Sequence, residues 1–232
     1  IAPVFQPARS GGMWIAAEKG LFREMADGSL SQVAPNSGLH APLRVVREDT
    51  DGSLWVGTLG QGLGHWKEGH WNFLSTNQGL PSDHVLSLCL DADNSIWIGT
   101  PAAGLQRIRD GQVRPVGALN GLRVSNVRDI VDDGLGYFWL CTRDGIARVS
   151  KRALNDCADG LVTSVDCRIF GTWDGLNSNE SSGCGLVDSD GALWFPTRRG
   201  LVRAQREGVL TNQVPPPIVL EQLTADGDDI AG

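Results

Sequence analysis

Five cysteines are the residues with the widest choice of chemistry in this 232-residue chain, since a cysteine can bind a metal, form a disulfide or act as a nucleophile. No two of them have the Cys-x-x-Cys spacing that is typical of zinc and dithiol redox sites. Cys89 and Cys141 lie in apolar, strand-like runs, where a free cysteine behaves as a small buried apolar residue. For Cys157 and Cys167 the sequence favours free thiols, and the alternative is a disulfide between them in an oxidising compartment.

The remaining polar residues form no recognisable catalytic set. Four histidines are present, and no Glu-x-x-His pairing accompanies them. The acidic turns at residues 49–52 and 188–191 resemble calcium loops, but a Leu-Trp strand follows where Ca²⁺ requires a bidentate glutamate. Residues 60–64 lack the last glycine of a dinucleotide fingerprint, and no Gly-x-Ser-x-Gly elbow occurs. We therefore expect no catalytic residue, no metal site and no cofactor.

Composition limits the kind of structure that can position these side chains. The chain is 41% hydrophobic and 20% charged, which is typical of a globular protein. Its net charge of −7 argues against a nucleic-acid partner, because phosphate binding needs a basic surface. No apolar run approaches the ~20 residues that cross a bilayer. The chain has thirty glycines, and it has eight tryptophans against one tyrosine, which indicates a structural unit that is repeated several times.

The spacing of the tryptophans identifies this repeated unit. Five tryptophans recur at intervals of 41, 42, 42 and 55 residues, and a Gly-aliphatic pair follows each: Trp14, Trp55, Trp97, Trp139 and Trp194. Short alternating runs closed by acidic turns indicate strands and hairpins around each tryptophan. Four such strands take about 40 residues, the length of a propeller blade. The spacing predicts an all-β propeller of five consecutive four-stranded blades, with the five tryptophans in the core between blades.

Departures from the repeat suggest the domain boundaries. We expect blades over residues 1–211, a proline connector at 212–217 and the start of a following β-sandwich domain at 218–232. Extra residues lie between 148 and 174, where residues 151–156 are predicted to form one short helical turn. Propellers usually close with more than five blades, so we expect the chain to be the C-terminal part of a larger, about seven-bladed propeller.

The repeated unit resembles the two-component regulator propeller repeat. Residues 79–105 match that pattern best, residues 121–146 match nearly as well, and residues 170–197 look like the last blade of the family. Blade 1 departs from the pattern with Ala16-Ala17 in place of Gly-Thr, and blade 4 has Cys141 in place of glycine.

The resemblance implies a function in signalling. It implies a non-catalytic, periplasmic input domain of a bacterial inner-membrane protein, which binds a small molecule or oligosaccharide and relays the signal to a kinase or diguanylate cyclase. It also implies a homodimer in the full-length protein, with the membrane reached only through segments after residue 232. The enzymatic alternative is a hydrolase or a lyase similar to streptogramin lyase, a related propeller that uses His and Glu with magnesium.

Ligand-binding candidates lie on one predicted face of the propeller, where the loops between blades and between second and third strands open around the axis. Guanidinium, carboxylate and amide groups there suit hydroxyl- and carboxylate-rich ligands, and an aromatic ring outside the repeat can stack on a sugar. The candidates are Arg143, Arg198, Arg199, Arg123, Asn126, Asn179, Glu180 and Trp173. The alternative interpretation is that the asparagines cap turns and the arginines are solvated.

Overall fold

The computed structural model describes residues 3–9, 11–17, 20–33, 38–101, 103–181, 183, 185–206, 224–225 and 228–229. Five of its antiparallel sheets follow one another in chain order, and each of these is one blade. Blade 1 contains β1 (Val4–Pro7), β2 (Met13–Ala17), β3 (Gly20–Glu24) and β4 (Leu30–Gln32). Blade 2 contains β5 (Leu43–Glu48), β6 (Leu54–Thr58), β7 (Leu63–Lys67) and β8 (His70–Leu74).

The other three blades repeat this order. Blade 3 contains β9 (Ser87–Leu90), β10 (Ile96–Gly99), β11 (Leu105–Arg109) and β12 (Gln112–Val116). Blade 4 contains β13 (Asp129–Asp132), β14 (Tyr137–Cys141), β15 (Ile146–Ser150) and β16 (Cys167–Phe170). Blade 5 contains β17 (Leu186–Val187), β18 (Ala192–Thr197) and β19 (Gly200–Gln205), so it has three strands among the described residues.

The prediction of a five-bladed, all-β propeller is confirmed, with four blades of four strands and a fifth with three described strands. A larger, about seven-bladed propeller and the division into domains stay predictions. The predicted connector at 212–217 lies outside the described residues. Of the predicted sandwich at 218–232, the structure describes one short hairpin, β20 (Thr224–Ala225) with β21 (Asp228–Asp229).

Close approach of neighbouring blades explains the glycine that follows two residues after a tryptophan. A Cβ atom at Gly99 would lie 2.5 Å from the carbonyl oxygen of Val127 in the next blade. A Cβ at Gly57 would lie 2.8 Å from a methyl group of Val85. Any larger residue would force the first strand of the next blade away, so glycine sets the spacing between blades.

Each of the first four repeat tryptophans packs into the gap between its own blade and the next. The ring centroid of Trp97 is 6.0 Å from that of Phe138, and the ring centroid of Trp139 is 5.8 Å from that of Phe195. Trp14 donates its indole N–H to the Glu48 carboxylate of blade 2, at 2.8 Å. The core role is confirmed for Trp14, Trp97 and Trp139, which are buried, whereas Trp55 and Trp194 are half-buried.

A second regularity, which the sequence analysis missed, is a basic residue paired with each tryptophan across the sheet. The tryptophan on the second strand of a blade lies directly opposite this residue on the third strand. The pairs are Trp14–Arg23, Trp55–His65, Trp97–Arg107, Trp139–Arg148 and Trp194–Arg203. Among these five pairs, blade 2 alone has histidine in place of arginine.

Helix α1 (Lys151–Ala158) occupies the extra residues of blade 4 and is longer than the short turn predicted at 151–156. The Ser150 side chain caps its first turn by accepting from the Ala153 amide, at 3.3 Å. Its apolar side chains are buried between blades 3 and 4. Cys157 and Cys167 pack against this same cluster as free thiols, so no disulfide joins them. Among the described residues, no helix has the length and apolar character needed to span a membrane.

Candidate functional site

The first strands of the five blades, with the residues just before them, surround one central cavity of about 390 Å³. Strand β1 forms one side of it, and the equivalent segments of the other blades form the rest. The residues that these segments contribute are Arg44, Val45, Arg47, Leu86, Arg128, Asp129, Gly185 and Leu186. The volume falls within the usual range for small-molecule pockets.

Arginine side chains give this cavity its electrostatic character. Arg47 donates to the Gln6 side chain at 2.7 Å and lies 3.9 Å from the Asp129 carboxylate. Asp129 is buried, and this burial raises the pKa of its carboxyl group above the usual value, although Arg47 and Arg44 oppose the shift. Arg44 makes no hydrogen bond or ion pair with any residue in the described ranges. The lining of the cavity thus contains three arginines and one aspartate, so the cavity is suited to an anionic or hydroxyl-rich ligand.

A cluster of three charged side chains stands beside the cavity, and Arg128 belongs to both. Glu180, in the connection from blade 4 to blade 5, accepts from Arg128 at 3.1 Å and from Arg198 at 2.8 Å. The Arg198 amide also donates to the Glu180 carbonyl at 3.2 Å. The side chain of Arg198 is 71% exposed, whereas those of Arg128 and Glu180 are 28% and 19% exposed, so Glu180 is the least exposed member of the cluster.

The connection that carries Glu180 is held in place through Ser181. The Ser181 amide donates to the Thr142 carbonyl of blade 4 at 3.2 Å, and its hydroxyl donates to the Pro196 carbonyl of blade 5 at 3.1 Å. The Ser181 carbonyl accepts from Arg128 at 3.1 Å. Glu180 is thus positioned by backbone and side-chain contacts to both blades, as a preorganised binding group requires.

The structure brings together two of the eight sequence-predicted candidates, Glu180 and Arg198. Asn179 caps a turn instead, because its side-chain oxygen accepts from the Thr172 amide at 2.7 Å. Asn126 lies in a turn with φ of 50° and donates its amide to the Pro101 carbonyl at 2.9 Å. For both asparagines, the turn geometry agrees with the alternative that the sequence left open.

The other four candidates are exposed and stand apart from the Glu180 cluster. Among the described residues, none of them has a hydrogen bond or ion pair with that cluster: Arg123, Arg143, Arg199 and Trp173. Trp173 is fully exposed on the single-turn helix Thr172–Asp174 and remains a candidate for stacking on a ligand. A ligand role for all eight residues stays a prediction.

Sequence reasoning missed Arg44, Arg47 and Arg128, although a signal for them exists. All three stand in or beside the first strand of a blade, where an alternating apolar pattern is interrupted by a charge. In a propeller the first strand is the innermost, so such a charge lines the axis. Within the described part of the chain, no group of three or more His, Cys, Asp or Glu side chains is arranged to hold a metal ion.

A family model identifies one of the repeats. Residues 79–102 match the model described as "Two component regulator propeller". This segment is a two component regulator propeller repeat. It covers Gly79 to the loop after β10, so it contains the connection into blade 3 and the strand of Trp97, and the resemblance stated from the sequence is confirmed there. No curated protein matches the chain.

Solved structures with the same fold include extracellular domains of two component systems. The extracellular domain of BT3049 from B. thetaiotaomicron, named as a hybrid two component system, matches 99% of this chain and 38% of its own at 18% identity and a TM-score of 0.66. The extracellular domain of BT4673 from the same organism matches 87% of this chain and 29% of its own at 18% identity and a TM-score of 0.66. The repeat-containing chain thus spans well under half of either domain.

Virginiamycin B lyase from Staphylococcus aureus has the same fold as well. It matches 88% of this chain and 69% of its own, at 16% identity and a TM-score of 0.62. At these identities the likeness shows a shared fold, and a shared fold does not determine function.

Proposed function

We propose that this chain is a non-catalytic, ligand-sensing domain on the extracytoplasmic side of a bacterial inner-membrane signalling protein. The observation that carries the proposal is the two component regulator propeller repeat at residues 79–102, in a propeller with the fold of the BT3049 extracellular domain. The domain binds a small molecule or oligosaccharide and relays binding to a cytoplasmic kinase or cyclase, as part of a homodimer.

The central cavity and the Glu180 cluster are the proposed ligand site. A ligand carboxylate or hydroxyl group can accept from Arg44, which has no partner among the described residues, and compete with Glu180 for Arg128. Exchange of the Glu180–Arg128 ion pair for a ligand contact changes the connection between blades 4 and 5. Such a change starts the relay, because a ligand shifts a conformational equilibrium only through contacts that differ between the two states.

The first test is a thermal-shift screen of this chain against neutral and acidic oligosaccharides, followed by calorimetry on any hit. We expect a ligand to raise the melting temperature, and Arg128→Gln to weaken its binding at least tenfold through the loss of charge-assisted hydrogen bonds. Arg152→Gln is the matched control, because Arg152 lies exposed on α1. If no oligosaccharide raises the melting temperature, the result counts against sugar sensing. If Arg128→Gln binds a ligand as tightly as the unaltered chain does, the central cavity is not the binding site.

Relay needs a second experiment on the full-length protein. We expect the same ligand to change kinase or cyclase output in membranes, and Arg128→Gln to reduce that response. If the ligand binds but output stays constant, the domain is a binding module without a sensory role.

A propeller lyase is the second candidate, and the likeness to the staphylococcal virginiamycin B lyase favours it. Another structure of that lyase, in the inactive H270A form, is a complex with quinupristin, which supplies the assay. Incubation of this chain with quinupristin and Mg²⁺, followed by mass spectrometry, tests for ring opening. Turnover above a denatured-protein control would establish the enzyme and overturn the non-catalytic proposal.

A further inference from the structure

A second cavity of about 390 Å³ lies between blades 2 and 3, separate from the central cavity. Blade 2 contributes Trp55, His65 and Leu74 to its lining, and blade 3 contributes Ile96, Ile108 and Asn94. Strands β6 and β10 carry the tryptophan and isoleucine that face each other across this gap. Most of the lining is apolar, and the polar lining residues other than His65 are exposed: Asn72, Asn94, Arg109 and Asp110.

The histidine of the cross-strand pair accounts for part of this space. In blades 1, 4 and 5 the paired arginine places its guanidinium carbon 5.2 to 5.8 Å from the indole centroid of the repeat tryptophan. In blade 2 the shorter His65 ring stacks flat on Trp55 instead, with the centroids 3.8 Å apart and the planes 5° apart. A histidine therefore leaves volume that an arginine side chain occupies in the other blades.

The equivalent gap between blades 3 and 4 shows what can occupy this volume. There α1 inserts Leu154, Cys157 and Ala158 against the blades, and Arg107 reaches the helix through the Asn155 side chain at 2.9 Å. Helix α1 arises from an insertion between the third and fourth strands of blade 4. Blade 3 has only the tight turn at residues 110–111 between β11 and β12, so nothing from its own turn fills the gap between blades 2 and 3.

The chemistry of the cavity favours an uncharged occupant. The His65 Nε2 atom lies 3.0 Å from the Ser53 hydroxyl, and burial lowers the pKa of His65 below its usual value, so the ring is neutral near pH 7. At the edge, Arg109 lies 3.7 Å from Asp93 and both are partly in water. The walls thus offer apolar and aromatic surface without an unpaired buried charge.

We propose that the gap between blades 2 and 3 binds an uncharged aromatic small molecule. Its ring packs against the Trp55–His65 pair and the isoleucines of blade 3, in the place that α1 fills in the next gap. A volume of about 390 Å³ accommodates a one- or two-ring compound. The site is independent of the central cavity and of the proposed sensory function.

The test is a titration of ¹⁵N-labelled chain with 2-naphthol, a neutral two-ring probe, observed through the indole N–H signals. A Trp55→Phe spectrum assigns the Trp55 signal. A Trp97→Phe spectrum assigns the signal of Trp97, which lies in the filled gap, the gap between blades 3 and 4 that α1 occupies. We expect the Trp55 signal to shift and saturate with a Kd on the order of 1 mM, as for other ligands of this size, while Trp97 stays unchanged. No saturable shift at Trp55, or equal shifts at all tryptophans, overturns the proposal.

His65→Arg is the decisive variant, because it restores the residue that the four other blades carry and fills the space. We expect at least a tenfold loss of 2-naphthol binding with an unchanged fold, and Arg128→Gln in the central cavity should bind 2-naphthol as the unaltered chain does. Should His65→Arg lose its dispersed spectrum, Asn72→Phe covers the opening from an exposed position on β8. If a folded His65→Arg or Asn72→Phe variant binds 2-naphthol as tightly as the unaltered chain does, the proposal is overturned.

Discussion

The gaps between blades 2 and 3 and between blades 3 and 4 are built from the same repeat, yet their tryptophans have different surroundings. Trp55 is half-buried beside an open cavity and donates its indole N–H to Asp49 at 3.0 Å. Trp97 is completely buried under α1, and its indole N–H has no acceptor among the described residues. Asp91, the equivalent of Asp49, instead accepts from Lys151 at 2.7 Å.

This difference teaches that one insertion can change how a repeat is stabilised. In blades 2, 4 and 5 an aspartate six residues before the tryptophan accepts its indole N–H, as Asp133 does for Trp139. In blade 3, Lys151 at the start of α1 forms an ion pair with the equivalent carboxylate, that of Asp91. The buried indole N–H of Trp97 therefore has no hydrogen-bond acceptor among the described residues. The unpaired N–H costs free energy, which the apolar packing of the helix has to offset.

The largest effect is expected from the helix itself. Leu154→Ala removes a completely buried side chain from the filled gap and should lower the free energy of unfolding by about 2–4 kcal/mol. Leu74→Ala, in the half-buried wall of the open gap, should cost about half as much or less, because its neighbourhood is already open. Urea unfolding followed by circular dichroism measures both, and equal losses would contradict the comparison.

A smaller effect is expected from Lys151, which contacts Asp91 and Asp132 at 2.7 Å each. Burial opposes its charge, but the two carboxylates outweigh burial and raise the pKa of Lys151. Lys151→Met should lower the free energy of unfolding by about 1–2 kcal/mol, since two carboxylates lose their cation. The indole signal of Trp97 should also move as Asp91 becomes free to accept its N–H.

Lys67→Met is the control for that experiment, because Lys67 pairs with Asp51 at the exposed surface of blade 2. We expect no measurable change in unfolding from it, as is usual for exposed ion pairs. A Trp97 signal that stays in place in Lys151→Met would show that the lysine does not compete with the indole for Asp91.

The smallest effect concerns pH and the open gap. Because the folded chain lowers the pKa of His65, the unfolded chain binds more protons around and below pH 6.5. His65 therefore contributes its full stability above pH 6.5, and this contribution is lost as the pH falls. Relative to His65→Gln, the unaltered chain should lose less than about 1 kcal/mol from pH 8 to pH 5, because water screens the half-buried ring. Urea unfolding at three pH values measures the difference, and a parallel pH dependence in both proteins would refute it.

The tryptophan spacing was enough to predict the blades, because each blade is a local unit of about 40 residues. It also placed Glu180 and Arg198 on one face, since loops between blades and loops between second and third strands open on the same side of a propeller. The partner Arg128 was not predicted, because it directly precedes the first strand of blade 4, 52 residues before Glu180, and their contact depends on how the connection to blade 5 folds back. The order of residues along the chain does not by itself predict this arrangement.

The filled gap shows the same limit. The helical tendency of residues 151–156 was visible in the sequence, and the cap at Ser150 with an apolar face extends the helix to Ala158. Its position between two blades, and the diversion of Asp91 from Trp97, are non-local. The cross-strand basic residue could have been found, however, because it follows every repeat tryptophan after a nearly constant interval of nine or ten residues.

Ser181 gives blade 5 an unusual dependence on a single completely buried residue. Its amide, hydroxyl and carbonyl are all engaged, and they join the last described blade to the one before it. We expect the amide hydrogens of β18 and β19 to exchange with solvent deuterium at one common rate, as a cooperative unit. Replacement of this serine by alanine would then accelerate exchange throughout the unit and leave blades 1 to 3 protected.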